Sequence, residues 1–187
     1  RKGKLGLGTA YIAGFKWALA HHYEYIFEMD ADFSHNPQDL PRLYKACAEE
    51  GGDVAIGSRY VSGVNVVNWP MGRVLMSYFA SKYVRFITGI PVHDTTAGFK
   101  CYRRCVLQTI DLDNIRFKGY AFQIEMKFTA YKCGFKIIEV PVIFINRELG
   151  TSKMNGSIFG EAVFGVIKLK LNSWFHKYPQ KAGNNKP

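Results

Sequence analysis

The stretch Tyr25-Ile26-Phe27-Glu28-Met29-Asp30-Ala31-Asp32 constrains this chain most. Its aromatic and β-branched residues read as a short buried strand, and it ends on two carboxylates. Residues two apart in an extended segment point the same way, so Asp30 and Asp32 can converge just past the strand. In open α/β sheets that end of the strands is where ligands bind. Two clustered carboxylates with no cation beside them in the run repel each other unless a proton or a metal joins them. A hard divalent ion, Mg²⁺ or Mn²⁺, suits such oxygen ligands and bridges to substrate phosphates. The competing reading is a solvated Asp30, with Asp32 merely opening a loop. The spacing alone does not decide between them.

Charge narrows the partners. The 187 residues carry a formal net charge of +10, which favours anions: phosphorylated substrates, nucleic acid or an acidic membrane surface. The excess is uneven, with five lysines and no acid from Lys168 to Pro187. No aromatic-basic stripe or nucleic-acid motif accompanies it, so no nucleic-acid partner is expected. The four cysteines, Cys47, Cys101, Cys105 and Cys133, form no C-x-x-C pair and no zinc spacing, and read as free cytosolic thiols. No apolar run reaches the roughly 18 residues of a membrane-spanning helix. The chain opens at Arg1 inside a basic loop and reads as a piece of a longer protein.

Taken in order, Gly3 to Thr9 is a glycine-rich turn, with Thr9 a candidate N-cap for a helix to about Tyr23. Glycines at 3, 6 and 8 with no preceding strand do not make a dinucleotide fingerprint, though a helix start can hold an anion. After the strand Tyr25–Met29, Asn36-Pro37 starts a second helix that Gly51-Gly52 ends. Asp53–Ser58 is the next strand, closed by Arg59, and strand-helix-strand with short links predicts a parallel crossover. Val61–Asn68 reads as a loop. A long helix follows from Trp69-Pro70 to about Thr88, with Arg73 and Ser77 sharing one face. Gly98–Tyr102 is strand-like, with a short helix after it to about Ile110. Tyr120–Cys133 is a helix with Phe122, Met126 and Ala130 on one side. Lys136–Phe144 is a strand in which Pro141 predicts an edge or bulge. A basic, turn-rich loop carries Arg147 and Lys153 before a last helix, Ile158–His176. This gives a domain over 1–157, an amphipathic helix over 158–177 and a disordered tail over 178–187.

A carboxylate pair after one strand, Arg59 after the next, Arg73 and Ser77 on a nearby helix, and Arg147 and Lys153 in a late loop line up. Each has a plain explanation alone: a strand-end ion pair, a surface charge, a solvated lysine. Together they suggest a metal-diphosphate site facing a second anion site, as transfer from a nucleotide-activated donor to a phosphorylated acceptor needs.

At this point the sequence resembles the polyprenyl-phosphate (dolichol-phosphate) mannose synthases, inverting transferases of glycosyltransferase family 2 with a GT-A fold. The resemblance runs through Gly6–Tyr11 with Gly14, Met29-Asp30-Ala31-Asp32-Phe33-Ser34-His35-Asn36-Pro37, Gly57-Ser58-Arg59-Tyr60, and Trp69 with Arg73 and Ser77. It continues in Asp94–Lys100, Gly119–Met126 and Glu139-Val140-Pro141, then Arg147, Gly150, Ser152 and Lys153. It implies a Rossmann-like α/β fold with a mostly parallel sheet flanked by helices and lacking its N-terminal part. It implies that Asp30, Ala31 and Asp32, with Arg147 and Lys153, bind the donor diphosphate. A divalent metal, Mg²⁺ or Mn²⁺, would lie on Asp30 and Asp32, with Ser34 where some members place a glutamine ligand. Arg59, Arg73 and Ser77 match acceptor-phosphate positions, and Asp32 and Arg59 stand as the catalytic pair. Asp94 and Glu125 sit in matching motifs without an assigned role. The implied partners are a nucleotide sugar, GDP-mannose first and UDP-glucose as the alternative, a polyprenyl phosphate and a membrane surface. The implied location is the cytoplasmic face of a membrane. The differing class of reading is a non-catalytic membrane-associated domain of the same fold.

Overall fold

A strand with no exposed position must lie inside a sheet covered on both faces. Val54–Ser58, β2, is such a strand: every residue is buried. The computed structural model describes residue 3, residues 5–146 and residues 156–182, with the side chains of 156–162 left aside. Around β2 lie β1 (Tyr25–Glu28), β4 (Lys100–Arg103) and β5 (Ile137–Pro141), in the order β1-β4-β2-β5. β1, β2 and β5 run the same way, and β4 runs against them. The expected crossover from β1 to β2 therefore exists in direction, but the two are not neighbours. β4 is inserted between them, so β2–β5 is the one parallel pairing in this sheet and "mostly parallel" holds for strand direction only. A second, two-stranded parallel pair joins β3 (Val66–Val67), inside the segment expected to be a loop, to β6 (Phe144–Ile145). β5 is an edge strand that ends on Pro141, where the missing N–H costs no ladder bond.

Alternation builds two cores. Val54 and Ile56 face one side with Tyr102, under helices α1 (Leu7–Ala20), α4 (Arg104–Thr109) and α5 (Ala121–Lys132). Ala55 and Cys101 face the other with Leu43, Ala46 and Cys47 of α2 (Leu40–Ala48). All four cysteines are free thiols, as expected. Asn36 caps a 3₁₀ turn over Pro37–Asp39 that leads into α2, its side chain accepting from the Gln38 N–H at 3.0 Å.

The first helix starts earlier than Thr9 predicts. Gly6 is its N-cap, and the Thr9 hydroxyl donates back to the Gly6 carbonyl at 2.8 Å. Gly6, with φ 96°, and Gly8 lie against the Lys118 backbone, and the Gly8 N–H donates to the Lys118 carbonyl at 2.9 Å. A Cβ on Gly6 would sit 2.8 Å from that carbonyl oxygen. These glycines serve close backbone approach between α1 and the lead-in to α5.

A third cluster joins α3 (Met71–Thr88) to α5 and α6 (Gly156–Phe175) through Val84, Ile124, Phe128, Val166 and Leu169. One stripe of α6 is thus core, while Phe164, Ile167, Leu171, Trp174 and Phe175 are exposed. Among the described residues no helix is long and apolar enough to cross a membrane. The expected loose tail is docked over 178–182. The Lys181 ammonium pairs with Asp53 at 2.8 Å, its N–H donates to the Cys133 carbonyl at 2.8 Å, and the Tyr178 ring packs edge-on to Phe128. Residues 183–187 of that expectation lie outside the described residues.

Candidate active site

β1 delivers its last side chain into a dry interior. Glu28 is fully buried, paired with the Lys100 ammonium at 2.6 Å, and accepts from the Tyr102 hydroxyl at 3.0 Å and the Gln123 amide at 3.2 Å. Lys100 also donates to the Gln123 side-chain oxygen, Oε1. A buried charge survives only when paired and fully hydrogen-bonded, and this one is. Two residues on, Asp30 emerges half-buried at the sheet's end, with the Tyr11 hydroxyl bonded to it. Burial, then the charges of Glu28 and Asp30, push that phenol well above its ordinary range.

The chain then turns tightly. Phe33 sits at φ 61°, in the left-handed region. This folds Ser34 back so that its N–H (3.1 Å) and hydroxyl (2.5 Å) both donate to Asp32 Oδ1. Ser34, expected as an oxygen ligand to metal, orients Asp32 through these two bonds. Ala31 lies exposed between the two acids. His35 follows, 5% exposed, stacked on Phe99 with ring centroids 5.0 Å apart and edge-on to Phe144 at 5.1 Å. Its Nδ1 accepts the Asp30 backbone N–H at 3.2 Å. Burial lowers its pKa, against the pull of Asp30 and Asp32, and Arg59 lowers it further, so the imidazole is held neutral. Asp30, His35 and Arg59 line one cavity, which brings the carboxylate turn and Arg59 together.

Arg59 leaves the end of β2 and meets Asp94. Its Nε and Nη2 donate to the two carboxylate oxygens at 2.6 Å each, its backbone N–H donates at 2.9 Å, and Nη2 also reaches the Thr96 hydroxyl at 2.8 Å. Asp94 is completely buried; that burial drives its pKa up, but Arg59 outweighs it and holds the carboxyl below the usual range. Asp94 is fixed in turn by Glu139, whose Oε1 accepts the Asp94 N–H at 2.9 Å while Oε2 accepts the His93 N–H at 2.7 Å. Beneath the loop, the buried Lys127 ammonium donates to the carbonyls of Thr95 (3.0 Å), Ala97 (2.6 Å) and Gln123 (3.3 Å). Glu125, the other unassigned acid, accepts the N–H groups of Arg116 and Phe117 at 2.9 Å and serves the lead-in to α5.

Arg73, on the first turn of α3, lies flat over Trp69, 3.9 Å from guanidinium carbon to ring centroid, and donates to Asn146 Oδ1 at 2.8 Å. Asn146 is in place because β3 pairs with β6 and the Asn146 N–H donates to the Val67 carbonyl at 3.0 Å. Asp30, His35, Arg59, Trp69, Arg73 and Ser77 all line one cavity of about 480 Å³. Its other end is apolar, walled by Met76, Phe79, Tyr83 and Val84 of α3, Ile124 of α5 and Val163 and Val166 of α6. Asp32 is not among its lining residues, and Arg147 and Lys153 lie outside the described residues.

The donor set fits a hard divalent ion in one respect: two carboxylates at a strand end, in hydrogen-bonded positions. Among the described residues no cluster of three or more acid, histidine or cysteine side chains could enclose a metal. Such a pair suits an ion that completes its shell with substrate oxygens and water. His35 and the Asp94–Arg59 pairing were not legible as site features. The sequence signal for His35 was its adjacency to the acids, while Asp94 gave none for its partner 35 residues away.

Similar proteins share this arrangement of elements. The family model described as glycosyl transferase family 2 matches residues 1–111. The chain is 51% identical over 168 residues to a polyprenol monophosphomannose synthase of Mycolicibacterium smegmatis, covering 90% of this chain and 63% of that protein. It is 49% identical over 171 residues to an undecaprenyl-phosphate mannosyltransferase of Micrococcus luteus, covering 91% of this chain and 70% of that protein. The chain thus spans under two thirds of the first relative's length. In three dimensions it resembles glucosyl-3-phosphoglycerate synthase from Mycobacterium tuberculosis in complex with Mn²⁺, UDP and glucosyl-3-phosphoglycerate, with a TM-score of 0.60, 16% identity, and 90% of this chain against 55% of that one. The same enzyme with Mg²⁺ and UDP gives 0.59 at 18% identity, covering 92% of this chain and 56% of that one. The α/β architecture is that of a GT-A glycosyltransferase, and the chain belongs to glycosyl transferase family 2.

Proposed function

We propose that this domain is the catalytic part of a transferase that moves mannose from GDP-mannose onto a polyprenyl phosphate at a membrane surface. The observation that carries the reading is the two-ended cavity: arginines and a serine at one end, an apolar channel between α3, α5 and α6 at the other. An amphiphile with a phosphate head and a hydrocarbon tail matches that division, and the relatives named above are enzymes of polyprenol and undecaprenyl phosphate.

The lipid phosphate is already anionic near neutral pH, so attack on the sugar's anomeric carbon needs no dedicated base. A phosphate oxygen bonds to that carbon as the carbon–oxygen bond to the nucleoside diphosphate breaks, with inversion. Arg73, held flat by Trp69, orients the attacking phosphate with Ser77. Arg59, ion-paired through two N–H groups with Asp94, lines the cavity as a fixed, oriented dipole and not as a free charge. Asp30 and Asp32 would hold Mg²⁺ or Mn²⁺, which when bound offsets charge on the leaving diphosphate. Arg147 and Lys153 are assigned to that diphosphate on the resemblance alone.

The membrane side of the proposal rests on exposed apolar stripes. Met71, Leu75, Phe79 and Phe86 on α3 and Phe164, Ile167, Leu171 and Trp174 on α6 lie outward, and Phe79 also lines the channel. Contiguous apolar patches on a protein surface mark sites of protein or membrane contact. The test is transfer of radiolabelled sugar from a panel of nucleotide sugars to a polyprenyl phosphate by the full-length protein, with and without Mg²⁺ or Mn²⁺. Preference for UDP-glucose would replace the donor, and a retained anomeric configuration would overturn the mechanism.

A further inference from the structure

The structure assigns one more substrate contact, and the assignment rests on the acceptor reading above. His35 has a defined tautomer. Because Nδ1 accepts the Asp30 N–H, a neutral ring must carry its proton on Nε2. Nε2 makes no hydrogen bond among the described residues, and it is not sealed from solvent as the unpartnered Trp69 Nε1 is. The ring cannot tip to satisfy it elsewhere, being clamped between Phe99 and Phe144. His35 lines the same cavity as Asp30, Arg59 and Arg73. A donor fixed in direction and left open at the place where an anion must sit is a built contact.

We propose that His35 Nε2–H donates to an oxygen of the acceptor phosphate and so orients the nucleophile. The ring supplies direction, while Arg73 supplies charge.

Two amides separate the two ring nitrogens. A glutamine reaches about where Nε2 lies and can donate there, whereas an asparagine ends near Nδ1 and can only replace the acceptor for the Asp30 N–H. In the full-length protein His35→Gln should keep the polyprenyl-phosphate KM within about threefold, and His35→Asn should raise it about tenfold or more, the scale of one lost hydrogen bond to a charged group. The nucleotide-sugar KM should hold in both. A normal acceptor KM in His35→Asn, equal loss in both variants, or a change confined to the nucleotide-sugar KM would overturn the assignment. A measurement on the unsubstituted protein covers variants that fail to fold. With ¹⁵N-labelled histidine, adding a short-chain polyprenyl phosphate, but not the matching polyprenol, should shift one ring Nε2–H signal downfield. No such shift overturns the contact. Absence of any transfer to lipid phosphate by the unsubstituted protein overturns the acceptor reading itself, a result distinct from any ratio between variants.

Discussion

Replacing Asp94 by asparagine tests the electrostatic frame of the site. The carboxylate takes three N–H bonds from Arg59, two from the guanidinium and one from the backbone, at 2.6 to 2.9 Å, with Asp94 wholly buried and the Arg59 side chain 10% exposed. An asparagine keeps the shape but turns an NH₂ toward a guanidinium and strands its charge. Breaking a buried pair from one side costs about 3–5 kcal/mol. At roughly 2–4 °C per kcal/mol for a chain of this length, the midpoint of thermal unfolding should fall by about 6–20 °C. The sign with pH follows from the depressed Asp94 pKa. The unfolded chain binds the proton first as pH drops, so the pair's contribution is complete above the ordinary carboxylate range and lost as pH falls through the folded value. The gap between protein and variant should therefore be full at pH 7 and close only in strong acid. Differential scanning fluorimetry across pH, alongside Arg59→Met and the double change Arg59→Met/Asp94→Leu, makes the case complete. The double variant should melt above either single one, because no lone charge remains. A midpoint for Asp94→Asn within about 2 °C of the parent, or a double variant worse than both singles, would refute the reasoning.

Other outcomes follow from the same site. Asp32→Ala should abolish sugar transfer, and normal metal-dependent rates would refute the metal assignment. Arg73→Lys should raise the polyprenyl-phosphate KM about tenfold, because an ammonium cannot both stack on Trp69 and reach Asn146, and initial rates against acceptor concentration check it. Phe79→Ser with Trp174→Ser should reduce flotation with anionic liposomes, and unchanged flotation would count against the α3–α6 face. Gly8→Val should destabilise the protein by several degrees, since a Cβ there would lie 2.8 Å from both the Phe117 carbonyl and the Phe122 ring; circular dichroism melting reads it.

What the sequence made legible was local. The strand ending in Asp30, the shared face of Arg73 and Ser77, and the edge position of Pro141 each follow from a period or a propensity within a few residues. What it hid was long-range or polar-in-core. β4 slips between β1 and β2 through pairings between residues far apart in sequence, Tyr25 with Arg103 and Ile56 with Lys100, which no local pattern encodes. Nothing local marks Lys100 and Lys127 as buried: Glu28 and the carbonyls of the 95–97 loop, which pair them, come from elsewhere in the chain. The partnership of Arg59 with Asp94 has the same cause: the acid arrives on the loop that feeds β4.

That inserted antiparallel strand sets a ruler across the catalytic end. β1 and β2 finish there while β4 begins there, with Glu28 and Ile56 both opposite Lys100. The spacing between the acidic turn and Arg59 is therefore gauged by one strand's register, at about 3.4 Å per residue. A single residue inserted into β4 would invert its faces and carry Asp94 off Arg59. Activity would then be lost through a change that touches no group contacting substrate.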